Sequence, residues 1–80
     1  MKKKIFCLTI TESRLYEYDD TKFKLFSTYE NALSGRRIAV DEYKKQHPQC
    51  DWEYEDDGII YLQDHTDMLV TFKIEEVEID

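Results

Sequence analysis

From Phe26 to His47 the chain reads FSTYENALSGRRIAVDEYKKQH, and no other stretch is long and periodic enough to make an amphipathic helix. At about 100° per residue, Tyr29, Ala32, Leu33, Val40 and Tyr43 fall on one side, while Asn31, Ser34, Asp41, Glu42 and Lys45 oppose them. Ser27 stands where an N-cap is wanted and Glu30 follows three residues on, which is the pattern of a capping box, with Phe26 placed to staple the first turn. Two residues disturb the stripe. Gly35 costs about 1 kcal/mol relative to Ala inside a helix, and Arg36 lands among the apolar positions, so either the helix breaks at Gly35 or Arg36 snorkels past a sheet edge. His47 precedes Pro48 and is thereby pushed out of the helical region, which ends the segment.

The residues on either side alternate with the period of strands. Lys4 to Thr11 is apolar on both alternations, the mark of a strand in the middle of a sheet. Leu15 to Tyr18 continues it or begins a hairpin arm, Asp19, Asp20 and Thr21 form a turn, and Lys22 to Phe26 returns. After a connector at Gln49 to Asp51, Trp52 to Tyr54 opens a strand that turns at Asp57-Gly58, and Ile59 to Gln63 runs back. A turn over Asp64, His65, Thr66 and Asp67 leads to Met68 to Ile74. Val77 and Ile79 then have the other parity, so a bulge or bend is expected near Glu75 and Glu76. The expected fold is α+β: a single domain over residues 1–80, with a mostly antiparallel sheet of four to five strands, one helix on one face, and the order ββαβββ.

A chain of 80 residues buries only about 60% of its unfolded surface, which leaves no room for a second core. An aromatic content of 14% is too high for a disordered segment. Cys7 and Cys50 are too few for a disulfide framework and read as reduced thiols, which places the protein in the cytoplasm. The N-terminal MKKKIFCLTI is too short for a signal peptide, and no run approaches the ~20 apolar residues of a membrane span. His47, Cys50, Cys7 and His65 could supply four zinc ligands, yet only the first two have a knuckle spacing, so no metal or other cofactor is expected. Cys50 beside His47 lacks a third orienting group and a Gly-rich oxyanion turn, and Asp64 and Asp67 suit a turn better than a site, so no enzyme is expected.

Charge is distributed unevenly. Residues 1–50 hold ten Lys or Arg and seven Asp or Glu, and residues 51–80 hold one and eleven, so the two parts carry +3 and −10 within a net charge of −7. Asp51, Glu53, Glu55 and Asp57 share one parity and Trp52 and Tyr54 the other, which predicts aromatics facing inward and a row of carboxylates facing water. Glu76, Glu78 and Asp80 make a second row. Carboxylates spaced about 6.8 Å apart along a strand resemble the charge of a nucleic-acid backbone, which a Lys/Arg-lined groove would attract. The candidate partner-binding residues are Asp51, Glu53, Glu55, Asp56, Asp57, Glu75, Glu76 and Glu78, and the partner is a basic protein surface such as that of a nuclease. The plainer explanation is a solvated sheet face kept from aggregating by its charge. A pI near 4.7 weighs against direct nucleic-acid binding, and the mixed charge of the helix against a membrane surface.

Two segments, FSTYENA and FKIEEVEID, resemble matching runs in a loose group of short proteins of phages and bacteria, through Phe26, Ser27, Thr28, Glu30 and Ala32 at the helix start and Ile74 to Asp80 at the end. That resemblance implies a strand hairpin leading into a helix and a last strand near the C-terminus. Through the mobile elements that carry such proteins it also implies a host-directed inhibitor, such as an anti-CRISPR or other anti-defence protein. The DWEYEDDG hairpin lies outside the resemblance and is the specialised element. The leading expectation is thus a non-enzymatic, phage-type inhibitor acting as a nucleic-acid mimic. The alternative is a self-assembling homodimer joined through a sheet edge and Ile38.

Overall fold

The computed structural model describes residues 3–14, 19–64 and 68–79. The elements are β1 (Lys3–Arg14), β2 (Asp20–Phe26), α1 (Tyr29–Gln46), β3 (Trp52–Asp56), β4 (Ile59–Gln63) and β5 (Met68–Ile79). All five strands join one antiparallel sheet in the order β2-β1-β5-β4-β3, and α1 packs against one face. The α+β class and the ββαβββ order therefore hold. β1 is interior, between β2 and β5, but the middle position belongs to β5. The segment 15–18 and the residues His65, Thr66 and Asp67 lie outside the described residues.

Directly paired residues on antiparallel strands share a face, so the registers fix which side chains meet the helix. Leu8 and Ile10 of β1, Ile60 and Leu62 of β4, and Met68, Val70, Phe72 and Ile74 of β5 stand on that side. Leu8, Leu62, Val70 and Phe72 are fully buried with Ala39 and Val40 of the helix, and Cys50 closes the end of the core by donating its thiol to Met68 Sδ at 3.6 Å.

The helix is continuous through Gly35, and the reason is steric. The Phe26 ring lies on Gly35, where a Cβ would come within 2.3 Å of Phe26 Cζ. Phe26 thus packs two turns into the helix rather than stapling its first turn. The cap is Thr28, not Ser27: its Oγ1 accepts from the Asn31 amide at 3.1 Å, which places Glu30 too early to complete a capping box. Arg36 takes the snorkelling route, reaching over the sheet edge to donate to the Gly58 carbonyl at 3.1 Å. At the other end the His47 amide returns to the Tyr43 carbonyl before Pro48.

Turn chemistry follows the sequence where the turns are described. Asp57 and Gly58 both have positive φ, 53° and 77°, as a two-residue hairpin with the right-handed twist of its strands requires. Asp64 is buried and accepts the Met68 amide at 3.0 Å, closing the entry to β5. Asp20 and Thr21, expected in a turn, already pair with Glu12 and Thr11.

The expected bulge near Glu75 and Glu76 is absent. The β1–β5 ladder runs unbroken from Lys3↔Ile79 to Arg14↔Met68. What changes is the cover. α1 begins at Tyr29, whose ring meets Phe6 edge-on at 5.7 Å. Beyond Phe6 the helix side of this ribbon carries Lys4, Glu76 and Glu78, and the apolar residues Ile5, Val77 and Ile79 pass to the other side. The parity slip records the end of the helix rather than an extra residue.

Candidate functional site

β3 keeps its alternation of acids and aromatics with the two faces exchanged. Glu53 pairs with Leu62 and so points to the helix side, where Arg37 donates to it twice, at 2.8 and 3.1 Å, and Lys44 approaches to 2.7 Å. Arg37 and Lys44 are seven residues apart, nearly two full turns, so both project toward the same carboxylate. Arg37 also reaches Asp41, one turn on, at 3.2 Å. The Arg37 hydrogen bonds first, and those of Lys44 second, lower the Glu53 carboxyl to about 2. Trp52 and Tyr54 consequently face away from the helix. Trp52 is 54% exposed, and Tyr54 stacks on Tyr61 at 4.9 Å and meets Trp52 at a tilt, with ring centroids 5.2 Å apart.

The expected outward row of carboxylates is therefore divided. Glu53 is neutralised by the basic part of its own chain, Asp51 and Glu55 are exposed, Asp56 turns to the helix-free face, and Asp57 sits in the turn. In β5, Glu75 pairs with Lys73 at 2.8 Å on the helix-free face, Glu76 pairs with Lys4 at 3.2 Å on the other, and Glu78 is exposed. These residues form no single patch.

A different surface assembles instead. Phe23 (66% exposed), Leu25 (66%), Trp52, Val77 (37%) and Ile79 (42%) are five of the seven large hydrophobic side chains left exposed among the described residues, and the registers put all five on the helix-free face. Ile5 and Cys7 lie between Leu25 and Val77, and Tyr54 and Tyr61 continue the surface beside Trp52. A belt of Thr9, Thr11, Thr21 and Thr71 crosses its middle. Among the described residues the charges on this face are Lys3, Lys73, Asp56 and Glu75, which cancel. The sequence does hold a signal for it: β1 is apolar on both alternations, so the face turned away from the helix is apolar as well as the one beneath it.

On the helix side, a groove of about 230 Å³ separates β2 from the second half of α1, with Lys22 and Lys24 on one bank, Glu42 on the other, and Ile10 and Phe72 beneath. Its polar floor is satisfied. The Tyr43 hydroxyl donates to Glu12 Oε2 at 2.5 Å, and Glu12 Oε1 accepts from Arg14 at 2.9 Å. The Tyr43 bond, and Arg14 after it, lower the Glu12 carboxyl, while burial and Glu12 push the Tyr43 phenol well above its usual range. His47 stacks on Tyr43 at 4.5 Å, Cys50 is in the core and Cys7 is on the opposite face of the sheet, so these three do not converge. Among the described residues no cluster of His, Cys, Asp or Glu suits a metal, and no helix is long and apolar enough to cross a membrane.

No family model, no curated protein and no solved structure matches this chain.

Proposed function

We propose that the protein is a non-enzymatic interaction module that works as a homodimer, two copies stacking their helix-free sheet faces. The observation that carries this reading is the gathering of Phe23, Leu25, Trp52, Val77 and Ile79 on that one face. Strands of 12, 7, 5, 5 and 12 residues, at about 16 Å² of sheet per residue, spread over roughly 670 Å², close to the ~800 Å² that each partner gives to a standard interface. A chain of net charge −7 repels its copy through most surfaces. The helix-free face, with two Lys and two acids, is the neutral exception, and this favours a second copy over a basic partner there. Stacked sheets about 10 Å apart would also cover the second apolar side of β1.

Sedimentation equilibrium from micromolar to millimolar protein tests the proposal. A dimer is expected, with Trp52 emission moving to the blue as it forms and with dissociation in Phe23→Glu/Leu25→Glu. A wild-type chain that stays monomeric at millimolar concentration, or a dimer split by Ile38→Lys on the outer side of the helix, refutes it.

A second reading keeps the acidic surface as the working part: an anti-defence inhibitor that occupies a basic, nucleic-acid-binding protein. Glu55, Asp56 and Asp57, exposed together at the β3–β4 turn, favour it. Inhibition of nucleases by the purified protein across a salt series decides the matter. Inhibition that is indifferent to salt, or to Glu55→Gln with Asp57→Asn, removes this reading.

A further inference from the structure

β4 pairs with β5 only from Leu69 to Phe72, in the register Ile60↔Phe72 to Gln63↔Leu69. β5 continues to Ile79, bonded to β1 along one side. Among the described residues no strand pairs with its other side from Ile74 to Ile79, which leaves an open strand edge in the middle of the sheet order, not at the margin where edges are usually found. An edge of this kind presents unpaired backbone N–H and C=O groups and invites another strand.

The side chains along that edge state which strand fits. Glu76 and Glu78 stand on the helix side, and Val77 and Ile79 on the helix-free side. A second copy is disfavoured. Pairing the segment with its two-fold mate while keeping faces matched centres on Glu75, Glu76, Val77 or Glu78. A centre on Glu75, Glu76 or Glu78 sets that residue against itself and a centre on Val77 sets Glu76 against Glu78, and like charges directly opposite are destabilising. Sliding the centre to Ile74 gives better charges, but the mate then runs into the place that Ile60 of β4 already holds beside Phe72. We infer that the open edge of β5, Ile74 to Ile79, binds an extended peptide segment of another protein that alternates basic with β-branched apolar residues, by addition of a strand to the sheet.

In that complex the basic side chains lie against Glu76 and Glu78 while the apolar ones extend the surface of Val77 and Ile79. The contacts that these acids already make do not stand in the way: Glu76 meets Lys4 with both side chains half exposed, Glu78 has a partner of its own but is exposed, and exposed pairs contribute little. The site is independent of face-to-face stacking, since stacked sheets leave their edges open. The added strand uses main-chain bonds for affinity and alternate side chains for selection.

The test uses the full chain, labelled with nitrogen-15, and three short peptides: one alternating Arg and Val, one alternating Glu and Val, and the Arg/Val peptide N-methylated along one backbone edge. Amide exchange and shift perturbation should show the Arg/Val peptide protecting Ile74 to Ile79, with the methylated peptide failing to do so. Reversing Glu76→Lys and Glu78→Lys should weaken the Arg/Val peptide by about tenfold and bring in the Glu/Val peptide. Glu78→Lys alone, at an exposed position, gives the same direction at smaller size if the double variant misfolds. Equal binding of the methylated peptide, or perturbation centred on Glu55 to Asp57 instead, overturns the inference, since either means that charge attracts the peptide without a strand being added. Run in the Phe23→Glu/Leu25→Glu background, the experiment separates this edge from the stacking face.

Discussion

Gly35→Ala exchanges a backbone gain for a steric loss at a place where both can be sized. Removing the glycine should stabilise a helix interior by about 1 kcal/mol. The new Cβ would meet Phe26 Cζ at 2.3 Å, Cε1 at 2.7 Å and Cε2 at 3.2 Å, where carbon atoms normally rest about 3.5–4.0 Å apart. The ring must retreat by more than about 1 Å, and forced repacking of this size costs about 1–3 kcal/mol. The ring is half-buried at the end of β2 and can give way in part, so the middle of that range, about 2 kcal/mol, applies and the net loss is about 1 kcal/mol. Phe26→Leu deletes the three ring carbons that collide, at a cost of about 1 kcal/mol for lost contact. In that background Gly35→Ala meets no obstacle and should stabilise by about 1 kcal/mol. The coupling between the two positions is thus about 2 kcal/mol, read from urea unfolding of the four proteins at one concentration. In thermal melts each kcal/mol should move the midpoint by about 4–8 °C. If Gly35→Ala stabilises the wild-type chain as much as it stabilises Phe26→Leu, the ring does not rest on the glycine and the account of helix continuity is wrong.

Thr28→Ala should lose about 1 kcal/mol with the cap, while Ser27→Ala stays within about 0.5 kcal/mol; equal losses in urea titration would restore Ser27 as the cap. Because Arg37 and Lys44 depress the Glu53 carboxyl to about 2, that group contributes stability at pH values above its ordinary 4.5, and the contribution fades as pH falls toward 2. Glu53→Gln should therefore cost about 1–2 kcal/mol at neutral pH, after allowing for the screening of a partly exposed pair. It should also flatten the acid limb of the stability curve, and an unchanged acid limb contradicts the assigned contacts.

The sequence disclosed most of the scaffold, because the signals involved are local. Asp57-Gly58 demands a tight turn wherever it sits, Pro48 ends a helix by steric exclusion, and the alternation of β3 is explicit in its residues. What escaped was relational. Alternation says that Glu53 and Trp52 lie on opposite faces but not which face the helix takes, and charge alone suggests that acids go outward. The deciding fact is a pair on another element, Arg37 and Lys44 at heptad spacing, which draws the acid inward and turns the indole out. Likewise Val77 and Ile79 look like a register slip when β5 is read alone. With α1 starting over Phe6, they belong to a stretch with no helix above it. The cap moved by one residue because Ser27 and Thr28 are both competent and the packing of Phe26 chooses between them.

Strand order also bears on how the chain finds its fold. β5 is made after the other four strands of the sheet, yet it fills the slot between β1 and β4. Until it arrives, the β1–β2 and β3–β4 hairpins have no shared ladder, and neither alone makes a stable sheet. Assembly is therefore a late, non-local zippering of distant segments, with the kinetics of high contact order rather than of a helix-led collapse. A ribosome-tethered chain lacking β5 is expected to stay protease-sensitive however long its helix has been out of the tunnel.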